Sequence, residues 1–288
     1  MLKKRVVATL VVRDNIVVQS INFGKYLPVG KPEIAVDFLN QWGIDEIIFL
    51  DINASKLGTG PNFELIKNIA KKCFVPLTIG GGVNNINQIN KLLKFGADKV
   101  SLNSILLKDI NFVKKASMIF GNQCIVASVD VIKVGEQYEV YDYLNSTSSK
   151  INVLDFVLQL EQAGIGEICI NSVDRDGSYK GYDLDLVNSV VEISNVPIII
   201  SGGAKTPYDF IDVFNSTDVN GASAANFFHF YEHSVTLTKS VLNREIPIRI
   251  ETNFNYNEST FSSNYRLLKK EDFILENMLF HKITKEII

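Results

Sequence analysis

The run IVASVDV (125–131) carries a carboxylate, Asp130, near its C-terminal end. An acid at the end of a buried strand is suited to proton transfer at the mouth of a parallel barrel. A matching run, VVATLVV (6–12), lies 119 residues earlier and has Val11 where its mate has Asp130. One member of this pair can exchange a proton and the other cannot. Asp51, in FLDINAS, is a further carboxylate at the same level, placed either to act in a site or to cap a loop.

Two glycine clusters follow apolar runs: Gly80, Gly81 and Gly82 in PLTIGGG, and Gly202 and Gly203 in PIIISGG. Such turns let backbone N–H groups approach an anion, or they simply make tight turns. Asn103-Ser104 and Ala225-Asn226 end the runs that come next, and Asp176-Gly177 forms a turn within NSVDRDGSYKGYD (171–183). The polar density of this strand end favours a site, with a solvated Asp174–Arg175 ion pair as the alternative. Two related anion sites on one face predict a ligand with phosphate at both ends.

Arg5, Glu46, Lys99 and Glu167 stand at or just before the starts of four apolar runs, and Glu46 and Glu167 are 121 residues apart. Charges there ordinarily mark solvated strand starts. Turned inward, two acids and two bases would close the opposite end of a barrel with a neutral ring. His229, His233 and His281 match no metal or triad spacing and read as core or surface residues. Cys73, Cys124 and Cys169 lie far apart without metal-ligand spacing, so reduced thiols in a cytosolic protein are expected, with no metal and no cofactor.

Short β-branched runs at 5–12, 47–52, 76–80, 98–103, 124–131, 167–173, 196–200 and 220–227 must position these groups. Several are apolar throughout, as strands buried on both faces are. Between them, PEIAVDFLNQWG, NFELIKNIAKK, INQINKLLKFG and LDFVLQLEQAG have helical apolar spacing. Eight strand–helix units predict an α/β fold, a (β/α)8 TIM barrel, with a doubly wound sheet as the alternative. The chain also repeats itself: GIDEII meets GIGEIC, PLTIGGG meets PIIISGG, and SLNSI meets ASAAN, all at an offset of 121. Two half-barrels follow, about 1–123 and 124–245, and their equivalent strand ends should face each other across the mouth.

The chain has 288 residues, 46% of them hydrophobic, with a formal net charge of −3. That suffices for a large core and gives no general attraction to nucleic acid or an anionic membrane. No apolar run approaches the roughly 18 residues of a membrane span, and the N-terminal segment lacks the pattern of a signal peptide.

Taken together, MLKKRVVA, DEIIFLDI, PLTIGGGV, GADKVSLNS, SVDRDGSYKGYD, PIIISGGA and AANFFHF resemble the cyclase subunit of imidazole glycerol phosphate synthase, the HisF type, over roughly residues 1–250. The resemblance implies a barrel of two halves that takes ammonia from a glutaminase subunit docked at its bottom and uses it at the top on a substrate with two phosphates. It assigns Arg5, Glu46, Lys99 and Glu167 to the ammonia gate. Gly82, Asn103 and Ser104 match one phosphate site. Asp176, Gly177, Gly203 and Ala224-Ala225-Asn226 match the other, where the family usually has serine at position 226. Asp130 matches one of two catalytic aspartates, and the second belongs at position 11. Gln19 stands where lysine is common, and DYLNSTSSK (142–150) departs from the family's loop.

An intact gate below a remodelled top suggests ammonia delivered to different chemistry. GTGPNFELI and KKCFVPL are similar to a bacterial branch that works with a sugar amidotransferase to form acetamidino groups on surface-polysaccharide precursors. Amidine formation is therefore the expected function. The histidine-pathway cyclase is one alternative, and a non-catalytic ammonia conduit and glutaminase activator is another.

After Arg249 the resemblance ends, leaving a C-terminal extension at 251–288. Residues 251–265 read as a linker, and 267–288 as an amphipathic helix with Phe273, Leu275, Met278, Leu279 and Ile283 as candidate buried positions.

Overall fold

The computed structural model describes residues 3–230, 233–249, 260–262, 266 and 268–277. Eight parallel strands close on themselves: β1 (Arg5–Arg13), β4 (Glu46–Asp51), β5 (Leu77–Gly80), β6 (Lys99–Leu102), β7 (Ile125–Val134), β10 (Glu167–Ser172), β11 (Ile198–Ser201) and β12 (Gly221–Ala224). The last pairs with the first, Arg5 opposite Gly221, which leaves the barrel without an edge. The fold is thus a (β/α)8 barrel, four strands coming from each half of the repeat, and the doubly wound alternative is excluded.

Helices α1 (Pro32–Gln41), α3 (Phe63–Ala70), α4 (Ile86–Lys94), α5 (Asn111–Phe120), α6 (Val153–Gln162), α7 (Leu184–Val191), α8 (Pro207–Ser216) and α9 (Ser234–Leu242) cover the outside, and a short α2 (Ile52–Leu57) follows β4. Their apolar stripes bury residues such as Val36, Ile69, Leu92 and Val113 against outward-facing strand residues such as Val6, Ile47 and Ile79, forming the main core. A buried pair completes closure. Lys239 on α9 donates to Asp45 Oδ1 (2.5 Å), and Asp45 Oδ2 accepts from the Val6 N–H (2.8 Å).

Two antiparallel hairpins are additions that the apolar runs did not reveal. The pair β2 (Ile16–Ile21) and β3 (Lys25–Gly30) extends β1, and β8 (Gln137–Asp142) with β9 (Thr147–Asn152) extends β7. Each follows the first strand of its half-barrel, so the internal repeat includes them. Both stand over the C-terminal end of the barrel.

In the extension, Phe261 packs against the main core with Arg244 over its ring at 4.9 Å. A short helix, α10 (Asp272–Glu276), follows. Phe273, expected to be buried, is 66% exposed there, since one short turn of helix presents no continuous apolar stripe to the barrel. Met278, Leu279 and Ile283, most of the proposed linker and the Leu275 side chain lie outside the described residues.

Candidate active site

The barrel bore is layered. At its bottom Arg5 bonds Glu46 (2.7 Å) and Glu167 (2.5 Å), and Lys99 bonds the same two carboxylates at 2.8 and 2.6 Å. The four charges alternate around a closed ring, and Thr78 Oγ1 adds a hydrogen bond to Glu46 (3.1 Å). The reading of these residues as solvated strand starts is therefore overturned: each stands at a strand start but turns into the bore, where Glu46 is 1% exposed. Next comes an apolar layer of Val7, Ile48, Val126, Cys169 and Ile199, separate from the outer core. Above it lie the hydroxyls of Thr9, Ser101, Ser128, Ser201 and Ser223, with Thr9 and Ser223 in contact at 2.7 Å.

Four of these hydroxyl residues form the floor of a cavity at the C-terminal end of the strands, whose wall also includes Val11 and Asp130. Asp130 is held from both sides. Asn103, after β6, donates Nδ2 to Oδ2 (2.9 Å), and Asn171 on β10 donates Nδ2 to Oδ1 (3.1 Å). Strand register dictates this, because Asn171 lies directly opposite Asp130. Burial, with a smaller contribution from the Asp176 charge, outweighs these two bonds and raises the carboxyl to about 6. Near neutrality it can therefore both take and give a proton.

The same cavity brings together Asp51, Gly81, Asn103, Ser104, Asp176, Gly177, Gly202, Gly203, Ala225 and Asn226. Gly82 is the exception. It is not among the lining residues, and its N–H donates to Ser55 Oγ (3.1 Å), which does line the cavity. Asp51 lines the cavity, and its Oδ1 caps α2 through the N–H groups of Asn53 (3.1 Å) and Ala54 (3.2 Å). Asp174 and Arg175 do not pair. Asp174 accepts from the Lys133 N–H (2.8 Å), and Arg175 donates to the Lys180 carbonyl (3.1 Å).

Asp176 and Asn226 face the first hairpin. Asp176 Oδ2 accepts from Ser20 Oγ (2.7 Å) and the Phe23 N–H (3.0 Å), while Asn226 binds the Ser20 backbone. Their side chains therefore hold protein, leaving backbone N–H groups and hydroxyls as the donors for an anion. No lysine, arginine or histidine is among the residues that line the cavity.

The sequence reading missed Asn171 and the aromatic roof of Phe23, Tyr26, Tyr143 and Tyr179. Phe23 packs edge-on against Tyr141 and Tyr143 of the second hairpin, with ring centroids 5.9 and 6.1 Å apart. The density of Tyr and Phe around the two hairpin turns was the available signal. His229 lies outside the cavity, buried, and its burial lowers it to about 4. Among the described residues no group of three or more His, Cys, Asp or Glu side chains could hold a metal. None of the described helices is long and apolar enough to cross a membrane.

A two-halved (β/α)8 barrel, with a charge ring below and a carboxylate-bearing cavity above, defines the class. Residues 5–234 match the family model for histidine biosynthesis protein. A Vibrio vulnificus protein provisionally named imidazole glycerol phosphate synthase subunit hisF2 is 42% identical over 89% of this chain and 94% of its own. The Natranaerobius thermophilus imidazole glycerol phosphate synthase subunit HisF is 39% identical over 87% of this chain and 100% of its own. A second provisional hisF2, from Campylobacter jejuni, is 39% identical over 85% and 97%. The chain belongs to this histidine biosynthesis family, within its HisF group.

Proposed function

We propose that the chain is the cyclase subunit of an imidazole glycerol phosphate synthase, taking ammonia from a glutaminase docked at the barrel bottom. The observation that carries this reading is the continuous layering from charge ring to Asp130. An apolar layer favours neutral ammonia over ammonium, because an unpaired charge is costly to desolvate. The hydroxyls above it offer donors and acceptors. Asp130, poised near neutrality, then takes and returns protons as nitrogen adds to a phosphorylated substrate. The names borne by the relatives support this alternative better than the amidine reading expected from the sequence. A cytosolic setting accords with the three cysteines as free thiols.

Val11 favours a second reading, in which the same ammonia serves amidine formation on a surface-sugar precursor alongside a sugar amidotransferase. The test is cyclase activity with an ammonium salt and the formimino-ribulosyl ribonucleotide substrate, on the protein and on Val11→Asp. The cyclase reading expects product from both, with Val11→Asp about 10²-fold faster or more. No product from either excludes cyclase activity and leaves the amidine reading.

A further inference from the structure

We infer that the Tyr143 hydroxyl is the second proton-transfer group of this cavity, acting with Asp130 in place of the carboxylate missing at position 11. The inference rests on the cyclase reading above. Tyr143 sits in the turn between β8 and β9, on the extension of the strand that carries Asp130, and it lines the same cavity as Asp130 and Val11.

The other acids and phenols of the wall are engaged. Asp51 caps α2, Asp176 holds the first hairpin, and the Tyr179 hydroxyl accepts from Gln19 Nε2 (3.1 Å). The Tyr26 hydroxyl donates to the Phe23 carbonyl at 2.8 Å, and Tyr26 is an electrostatic neighbour of Tyr143. With the Tyr26 proton directed to that carbonyl, Tyr143 is the one of this pair whose proton can be given up. A substrate oxygen in the cavity can compete for that proton. Lys56 lies 4.0 Å from the centroid of the Tyr143 ring and fixes it in place. Burial raises the phenol above its ordinary range, and Asp130 contributes to that rise as a neighbouring charge. The group is therefore an acid that stays loaded at neutral pH.

The proton movements balance. As the ammonia lone pair forms the C–N bond, the carbonyl π pair moves to oxygen, which takes the Tyr143 proton. Asp130 removes a proton from the new ammonium nitrogen. It then gives that proton to the hydroxyl, which departs as water as the nitrogen lone pair forms C=N. The Tyr143 phenolate takes back a proton from the iminium nitrogen. Ketone and ammonia become imine and water, and both side chains end as they began.

Four proteins test the inference: the unaltered chain, Tyr143→Phe, Val11→Asp, and the double variant, each assayed with an ammonium salt and the formimino-ribulosyl ribonucleotide. Tyr143→Phe should lower kcat about 10²-fold with KM little changed, and the double variant should recover to near the rate of Val11→Asp. Recovery separates proton transfer from a structural role, since a carboxylate at position 11 supplies a proton but does not repack the turn. An unchanged rate in Tyr143→Phe overturns the inference, as does an equal loss with and without Val11→Asp. Product from none of the four proteins overturns it together with the cyclase reading.

Discussion

Asn226 grips the Ser20 backbone with both ends of its amide: Nδ2 donates to the Ser20 carbonyl at 2.6 Å, and Oδ1 accepts from the Ser20 N–H at 3.1 Å. An amide matches a backbone donor–acceptor pair as a second peptide would, and the contact is buried. It pins the first hairpin, which begins at β2, to the end of β12, more than 200 residues away in sequence. Asp176 reinforces the same point from β10, through Ser20 Oγ and Phe23 N–H. The roof over the cavity is thus held from two strands of the opposite half-barrel.

Asn226→Ser should loosen this roof. Serine is too short to reach both Ser20 groups, so up to two buried hydrogen bonds are lost at about 1 kcal/mol each. Amide hydrogen exchange at Ser20 should accelerate about tenfold or more, with little change in the barrel strands. Exchange at Ser20 that stays at the unaltered rate would show that Asp176 alone holds the hairpin.

Asp130 links activity and stability to pH with opposite signs. Its carboxyl is raised from 3.8 to about 6 in the fold. Below about pH 3 it is protonated in both folded and unfolded chains and costs nothing extra. As pH rises toward 6 the unfolded chain ionises first, so stability falls across this window and is level above it. Asp130→Asn should therefore be more stable than the unaltered protein at about pH 8, by roughly 2–3 kcal/mol, and equal to it at about pH 3. Ammonia-dependent turnover should fall below about pH 6 as the base is lost, and should be absent in the variant. Urea midpoints at the two pH values decide the first point. A destabilised Asp130→Asn at about pH 8 would mean that the Asn103 and Asn171 bonds outweigh burial.

How much of this was legible beforehand follows from the kind of force involved. Apolar runs and the 121-residue repeat disclosed the barrel, since strands buried on both faces leave a continuous apolar signature. The charge ring was visible as Arg5, Glu46, Lys99 and Glu167 at strand starts, but its inward turn was not, because identical residues at solvated starts read the same. Asn171 was hidden because its role comes from register with Asp130 on a neighbouring strand. The hairpins escaped because IVVQSI, KYLPVG and QYEVYD are short, and the last two are largely exposed or half-buried. Tyr143 and Phe23 meet only when two hairpins 121 residues apart in the repeat lean together.

The ring's alternation makes each cation serve two carboxylates. Lys99→Ala leaves Glu46 and Glu167, both nearly inaccessible, with Arg5 alone. Removing one partner from a buried charge cluster costs about 3 kcal/mol, so the denaturation midpoint should drop accordingly. Pairing the change with Glu167→Gln should recover part of the loss, since one uncompensated charge goes with it. A cost below about 0.5 kcal/mol for Lys99→Ala would mean that the ring is solvated in solution.

Gly203 separates backbone geometry from ligand chemistry. Its φ is +100°, and an added Cβ would lie 2.1 Å from the Gly181 carbonyl oxygen. The two loops are also tied by the Gly181 N–H to the Gly203 carbonyl at 2.9 Å. Gly203→Ala must therefore strain the backbone and push the two loops apart, at a cost of about 2 kcal/mol or more. Gly203 and Ala204, which both line the cavity, move with it. The cyclase reading expects inorganic phosphate to stabilise the unaltered protein thermally and not Gly203→Ala, and expects the substrate KM to rise in the variant. Gly30, whose added Cβ would meet nothing within 4 Å, is the control, and Gly30→Ala should stay within about 0.5 kcal/mol with phosphate stabilisation intact. Phosphate stabilisation that survives in Gly203→Ala would place the anion elsewhere in the cavity, at the Gly81–Ser104 side of the repeat.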